Sequence, residues 1–141
     1  ALADSTIEDL FLTDAANLSE LTFLKEMKSL KTLRIEHCPS LKSISLGGGN
    51  EQLSSVDIRA CDSLQAISNL PSNLSELNVE DCGSLLSLNL PDNLFRLEIF
   101  RCDSLLSISD LPSNLSELHM ASCSSLLSIS DSPDTLSNLF L

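Results

Sequence analysis

Five cysteines, at positions 38, 61, 82, 102 and 123, each close the same phrase, L-x-x-L-x-[IVM]-x-x-C-x-S-L, and this recurrence restricts the chain to an array of like units. The copies read LKTLRIEHCPSL from Leu30, LSSVDIRACDSL from Leu53, LSELNVEDCGSL from Leu74, LFRLEIFRCDSL from Leu94 and LSELHMASCSSL from Leu115. They start 23, 21, 20 and 21 residues apart. A weaker copy precedes them, with Ile7, Leu10, Leu12, Ala15 and Leu18 at the framework positions, and a truncated one, Leu136, Leu139 and Leu141, ends the chain. Units of this size touch only their neighbours, so the interior is expected to be a long ladder within a single domain spanning residues 1–141, in six to seven coils.

Alternation within L-x-I places Leu33 and Ile35 on one side of a strand and Thr32, Arg34 and Glu36 on the other. Copies in register then give a parallel sheet with an aliphatic inner face and an outer grid of variable residues. Five Phe with no Trp or Tyr leave leucine and isoleucine to fill the interior. After each cysteine come S-L-x-x-[IL] and, in three copies, L-P-[SD]-N at 70–73, 90–93 and 111–114. Roughly nine residues remain for the return, too few for two helical turns with their flanks. The convex side is expected to be extended, turns or short 3₁₀ segments, with little α-helix and room for one short helix within 18–30. GGGN at 47–50 reads as a flexible loop; it lacks the G-K-[ST] ending of a phosphate-binding loop.

Acidic residues outnumber basic ones 20 to 8, for a net charge of −12, which argues against nucleic acid or an anionic membrane as partner. Residues 1–60 carry six basic and nine acidic side chains, and residues 61–141 carry two, Arg96 and Arg101, against eleven. No run reaches the roughly 18 apolar residues a membrane span needs, and ALADSTIEDL has no basic leader region. A start without methionine and a stop at Leu141 inside an expected strand suggest a piece of a longer solenoid. Three N-glycosylation patterns, at Asn17, Asn73 and Asn114, are better explained by turn chemistry.

An odd number of cysteines at repeat-locked spacing points to a packing column of free, buried thiols and hence to a reducing compartment, cytosol or nucleus. Zinc sites use short ligand spacings, and cysteines every 20 to 23 residues do not supply them. His37 and His119, taken as equivalent outward positions several coils apart, offer no base within reach of a nucleophile. The serine column Ser40, Ser63, Ser84, Ser104 and Ser125 is expected to satisfy the backbone of neighbouring coils. No enzyme activity, metal or cofactor is expected.

Function is therefore sought in the outward grid, and the candidate partner-binding residues are Arg34, Glu36, Asp57, Arg59, Asn78, Glu80, Arg96, Glu98, Phe100 and His119. Phe100, expected to lie exposed beside Arg96 and near Arg59, has the composition of an interface anchor. Phe11 and Phe140 also stand on the outward grid. The competing explanation is that Phe100 lies against aliphatic stems of its neighbours, or that the ends bearing Phe11 and Phe140 are covered by the rest of a longer parent protein.

The strand phrase resembles the leucine-rich repeat with cysteine at its asparagine-or-cysteine position. C-[PDGS]-S-L followed by S-I-x-x-L-P-x-N-L, clearest in CPSLKSI and LPSNLSELNVEDCGSL, resembles the carboxy-terminal repeats of plant nucleotide-binding leucine-rich repeat immune receptors of the coiled-coil class. The resemblance implies a curved solenoid that recognises pathogen or pest effectors or a guarded host protein and helps hold a nucleotide-binding module inactive. It implies a protein partner and no bound nucleotide. The competing assignment is a substrate adaptor or scaffold, of a ubiquitin ligase or a bacterial secreted effector, although the latter usually carries asparagine at the cysteine position.

Overall fold

In the computed structural model of the chain, the described residues are 6–46, 49–108, 110–129 and 136–140. Among them the strands run, in chain order, β1 (Asp9–Thr13), β2 (Thr32–Glu36), β3 (Ser43–Ser45), β4 (Ser55–Arg59), β5 (Ala66–Ser68), β6 (Glu76–Glu80), β7 (Ser87–Leu88), β8 (Arg96–Phe100), β9 (Ser107–Ile108), β10 (Glu117–Ala121), β11 (Ser128–Ile129) and β12 (Asn138–Phe140). The long strands form one parallel sheet in the order β1-β2-β4-β6-β8-β10-β12. Phrase pairs with phrase: Leu33 lies between Leu10 and Val56, and Leu97 between Leu77 and Leu118. The short strands form the convex side, in ladders β3-β5-β7 and β9-β11. A 3₁₀ turn at Thr22–Glu26 occupies the one stretch where a short helix was expected. The chain is thus a leucine-rich solenoid with a parallel concave sheet and an extended back.

The strands alternate as anticipated. Leu33, Ile35, Val56, Ile58, Leu77, Val79, Leu97, Ile99, Leu118 and Met120 are buried, and the residues between them face outward. They belong to one apolar cluster running from Leu21 to Met120. Each buried aliphatic side chain contributes about 1.5–3 kcal/mol, and adjacent coils supply part of its cover.

Every fully described concave strand from β1 to β10 ends on a residue in the left-handed region, and none is glycine: Asp14, His37, Ala60, Asp81, Arg101 and Ser122, with φ of 55, 52, 52, 56, 53 and 57°. This reversal drops the next residue into the interior. The N–H of the reversed residue donates to the last strand carbonyl of the following coil, as His37 to Arg59 O at 3.1 Å and Ala60 to Glu80 O at 2.9 Å. The cysteine that follows sends its thiol back to the carbonyl two residues earlier, at 3.6, 3.5, 3.5, 3.6 and 3.6 Å along the column. A small, apolar side chain with a weak donor suits this corner. All five cysteines are free; four are buried and Cys123 is half-buried. Burial pushes the Cys38 thiol up and the Cys102 thiol up to about 11; the hydrogen bond with Cys61, then burial, push Cys82 up.

Serines do bridge coils, but chiefly from another column. Ser40 Oγ donates to Ala16 O as expected. The recurring bridges come from the second phrase position: Ser54 Oγ to Lys31 O at 3.2 Å, Ser75 Oγ to Ser54 O at 3.1 Å and Ser137 Oγ to Ser116 O at 3.1 Å. That carbonyl already accepts two backbone N–H groups, as Lys31 O does from Ser54 and Ser55, so the strand's first residue is anchored from three sides.

Pro71, Pro91 and Pro112 are buried, and each carbonyl accepts the N–H of the leucine three residues on. Met27 and Asn50 hold the same place in the earlier coils. Asn50 is 1% exposed and donates through Nδ2 to Leu24 O at 2.6 Å and Met27 O at 3.2 Å, tying down the 3₁₀ turn. A Cβ on Gly49 would lie 2.4 Å from Lys25 O, so its glycine permits a close backbone approach. The loop expected to be flexible is therefore packed at Gly49 and Asn50; Gly47 and Gly48 lie outside the described residues.

One coil is short. After β5 and β9 the chain turns through a left-handed Asn69 or Asp110, whereas Leu88-Asn89-Leu90 lacks that residue and gives the coil its 20-residue length. It is next to this coil, between β7 and β9, that the convex ladder is interrupted.

Candidate functional site

The outward residues of the concave strands form three columns, with neighbours in a column about 4.8 Å apart. Interactions run mostly along columns. In the central one, Arg34 faces Phe11 on one side and Asp57 on the other. Its guanidinium carbon sits 5.0 Å from the Phe11 ring centroid, and its Nε donates to Asp57 Oδ2 at 3.0 Å. Asp57 also accepts from Arg59 Nε at 3.0 Å and from Asn78 Nδ2 at 2.7 Å, both on Oδ1. Burial alone would raise the Asp57 pKa; the hydrogen bonds from Arg59, Asn78 and Arg34 outweigh it and hold the carboxyl below the usual range. The bond to Asp57 raises Arg59 in turn.

A second cluster centres on Arg96, whose Nη2 is 2.6 Å from Glu98 Oε1 and whose Nε is 3.1 Å from Glu117 Oε2. A third is built at the strand end, where Arg101 grips Asp81 through Nε at 2.5 Å and Nη2 at 3.0 Å and also pairs with Glu80. The hydrogen bond to Asp81 lowers that carboxyl and raises the arginine. At the first strands, Thr32 Oγ1 donates to Asp9 Oδ1.

The candidate residues do share one face, yet several pairings differ from expectation. Phe100 is half-buried between Glu80 and Ala121, at the opposite end of β8 from Arg96, so the two are not neighbours. Arg59 stands two coils from Phe100 and is held by Asp57, and Glu80, facing Arg59, is taken by Arg101. His37 and His119 are not equivalent: His37 is the reversed residue after β2, 3.8 Å from Glu36 Oε1, and His119 faces Glu98 within the central column. Phe11, one of the outward grid's aromatics, is 54% exposed. The side chain of Phe140 lies outside the described residues.

Phe11 and Arg34 line a cleft of about 330 Å³ with Asp9, Thr32, Ser55 and Asp57. A smaller one of about 160 Å³ lies among Ser55, Asp57, Arg59, Glu76, Asn78, Arg96 and Glu98. On the three columns Arg34, Arg59 and Arg96 stand against Asp9, Glu36, Asp57, Glu76, Glu80, Glu98 and Glu117. Each of these arginines is already paired with a carboxylate of the face, so the surplus presented to a partner is negative. Among the described residues no three His, Cys, Asp or Glu side chains come together in a metal-binding group, and no helix is long and apolar enough to cross a membrane.

Comparison with known proteins agrees with this architecture at the level of the repeat. Neither the curated proteins nor the solved structures include a significant match. The model of the BspA type leucine rich repeat region, six copies long, matches residues 5–101 and again 37–138. With nearly the whole array matched, the chain belongs to the BspA-type leucine-rich repeat family.

Proposed function

We propose that this chain is a protein-recognition module whose concave sheet binds a partner segment, with the Phe11–Arg34 end as its anchor. The observation that carries this reading is Phe11, an exposed aromatic stacked under a guanidinium that Asp57 fixes in place, lining a concave cleft of about 330 Å³. A rigid aromatic–arginine pair is the composition of an interface hot spot. The carboxylate surplus beyond it favours a basic segment. Selection of random displayed peptides on the immobilised chain is expected to enrich basic sequences that lose binding to Phe11→Ala. Enriched peptides that bind a Phe11→Ala/Arg34→Ala variant as tightly as the parent would place the site elsewhere.

CPSLKSI and LPSNLSELNVEDCGSL support a narrower form of this proposal, in which the partner is a pathogen or pest effector, or a host protein it targets, and the module also restrains a nucleotide-binding unit of an immune receptor. The narrower form rests on those phrases alone, because the BspA-type match carries no immune assignment. The five free cysteines support a reducing compartment, cytosolic or nuclear.

A further inference from the structure

The position after the leucine of each S-L pair is held by Lys42, Gln65, Leu86, Leu106 and Leu127. These residues stack, with Gln65 N donating to Lys42 O at 2.8 Å, Leu86 N to Gln65 O at 2.9 Å and Leu127 N to Leu106 O at 2.7 Å. Lys42 and Gln65 show that a coil folds with a polar side chain here, so the solenoid itself does not require leucine. Yet Leu86, Leu106 and Leu127 are 55, 52 and 84% exposed, in three successive coils. Their coils stack through β6, β8 and β10 at about 4.8 Å per coil, so the three leucines span about 10 Å, comparable to two helical turns. Among the described residues the backbone ladder joins Leu106 to Leu127 and is not continued from Leu86 to Leu106.

The surroundings of the stripe indicate what covers it. Exposed Asp62 and Asp103 precede the column by three residues, and exposed Asp92 and Asp110 lie beyond it in the same coils. The neighbouring cation, Arg101, is held by Asp81 and Glu80. A second copy of this chain, at a net charge of −12, would bring aspartates against aspartates, and an anionic bilayer would be repelled in the same way. We propose that the Leu86–Leu106–Leu127 stripe docks a cationic amphipathic helix of another protein, its apolar face on the leucines and its lysines or arginines over the flanking aspartates. This surface lies off the concave sheet and stands or falls separately from it.

The test is fluorescence anisotropy of a labelled 18-residue amphipathic peptide of leucine and lysine titrated with the whole chain. Leu86→Gln/Leu106→Gln/Leu127→Gln, which copies the residue native to position 65, is expected to keep the parent's circular dichroism and weaken binding by at least about tenfold. Added salt is expected to weaken it, and an unlabelled lysine peptide without leucine, which the concave face alone would take, is expected not to displace the labelled one. The proposal is overturned if the triple variant binds equally well, or if a leucine–glutamate peptide binds as tightly as the lysine one. It is also overturned if sedimentation shows the parent self-associating through a contact that the triple variant loses.

Discussion

Arg59 Nε lies 3.0 Å from Asp57 Oδ1, two residues earlier on the same strand and the same face, so this arginine completes the wall of the site before any partner arrives. The folded-state pKa of Asp57 is depressed. Its stabilising contribution is therefore complete above the unfolded value of about 3.9 and is lost as pH falls through the folded value. Asp57→Asn is expected to be about 1 kcal/mol less stable than the parent near neutral pH, with the gap closing as pH falls below the unfolded carboxylate value and through the depressed folded one. Urea unfolding across that range checks this; a gap independent of pH would show that charge is not what Asp57 contributes. For the same reason Arg59→Glu should lower stability as well as binding, which makes Phe11→Ala the cleaner probe of recognition.

Ala60 holds a left-handed φ of 52° without a polar side chain to favour it. An L-residue costs about 1–2 kcal/mol there, against about 0.5–1 kcal/mol for glycine's extra unfolded-state freedom. Ala60→Gly is expected to be neutral to about 1 kcal/mol stabilising by chemical denaturation, and Ala60→Val clearly destabilising. Equal stabilities for all three would mean that the corner tolerates any conformation.

Gly49→Ala sets a methyl group against Lys25 O, a backbone atom that cannot swing away. A loss of about 1–3 kcal/mol is expected. Hydrogen exchange should place the damage at residues 21–30, around the 3₁₀ turn, and leave β8 and β10 as protected as before.

Leu77 is buried in the middle strand between Val56 and Leu97. Leu77→Ala is expected to cost about 2–5 kcal/mol. Leu77→Asp, which buries an unpaired charge, should unfold the adjoining coils, seen as loss of the cooperative thermal transition.

Thiol titration should find five reactive groups in denaturant without reductant. In the native state the half-buried Cys123 is expected to react first, since the other four are shielded and burial holds Cys38 and Cys102 in the protonated form. Fast reaction of Cys102 would contradict the packing described for the column.

Register made the framework legible. Counting from the cysteines places Leu77 inside and Asn78 outside, and it would also have set Asn50 three residues before Leu53 as Pro71 is before Leu74, exposing the asparagine as a turn residue and not part of a loose loop. Side-chain partners were not legible in this way. Arg59 has carboxylates before it, after it and on its own strand, and only the three-dimensional corner, where Arg101 reaches Glu80, decides among them. Register separates Phe11, in the central column, from Phe100, at the strand end, but not their exposure, which depends on neighbours in other coils.

The interruption between β7 and β9 has a mechanical consequence. The concave sheet is laced without a gap from β1 to β12, while among the described residues the back has no strand ladder between β7 and β9, so the strand hydrogen bonds joining those two coils lie on the concave side. Leu86 and Leu106 stand on the two sides of that step, so a helix docked on both would span the step that the back leaves without a ladder.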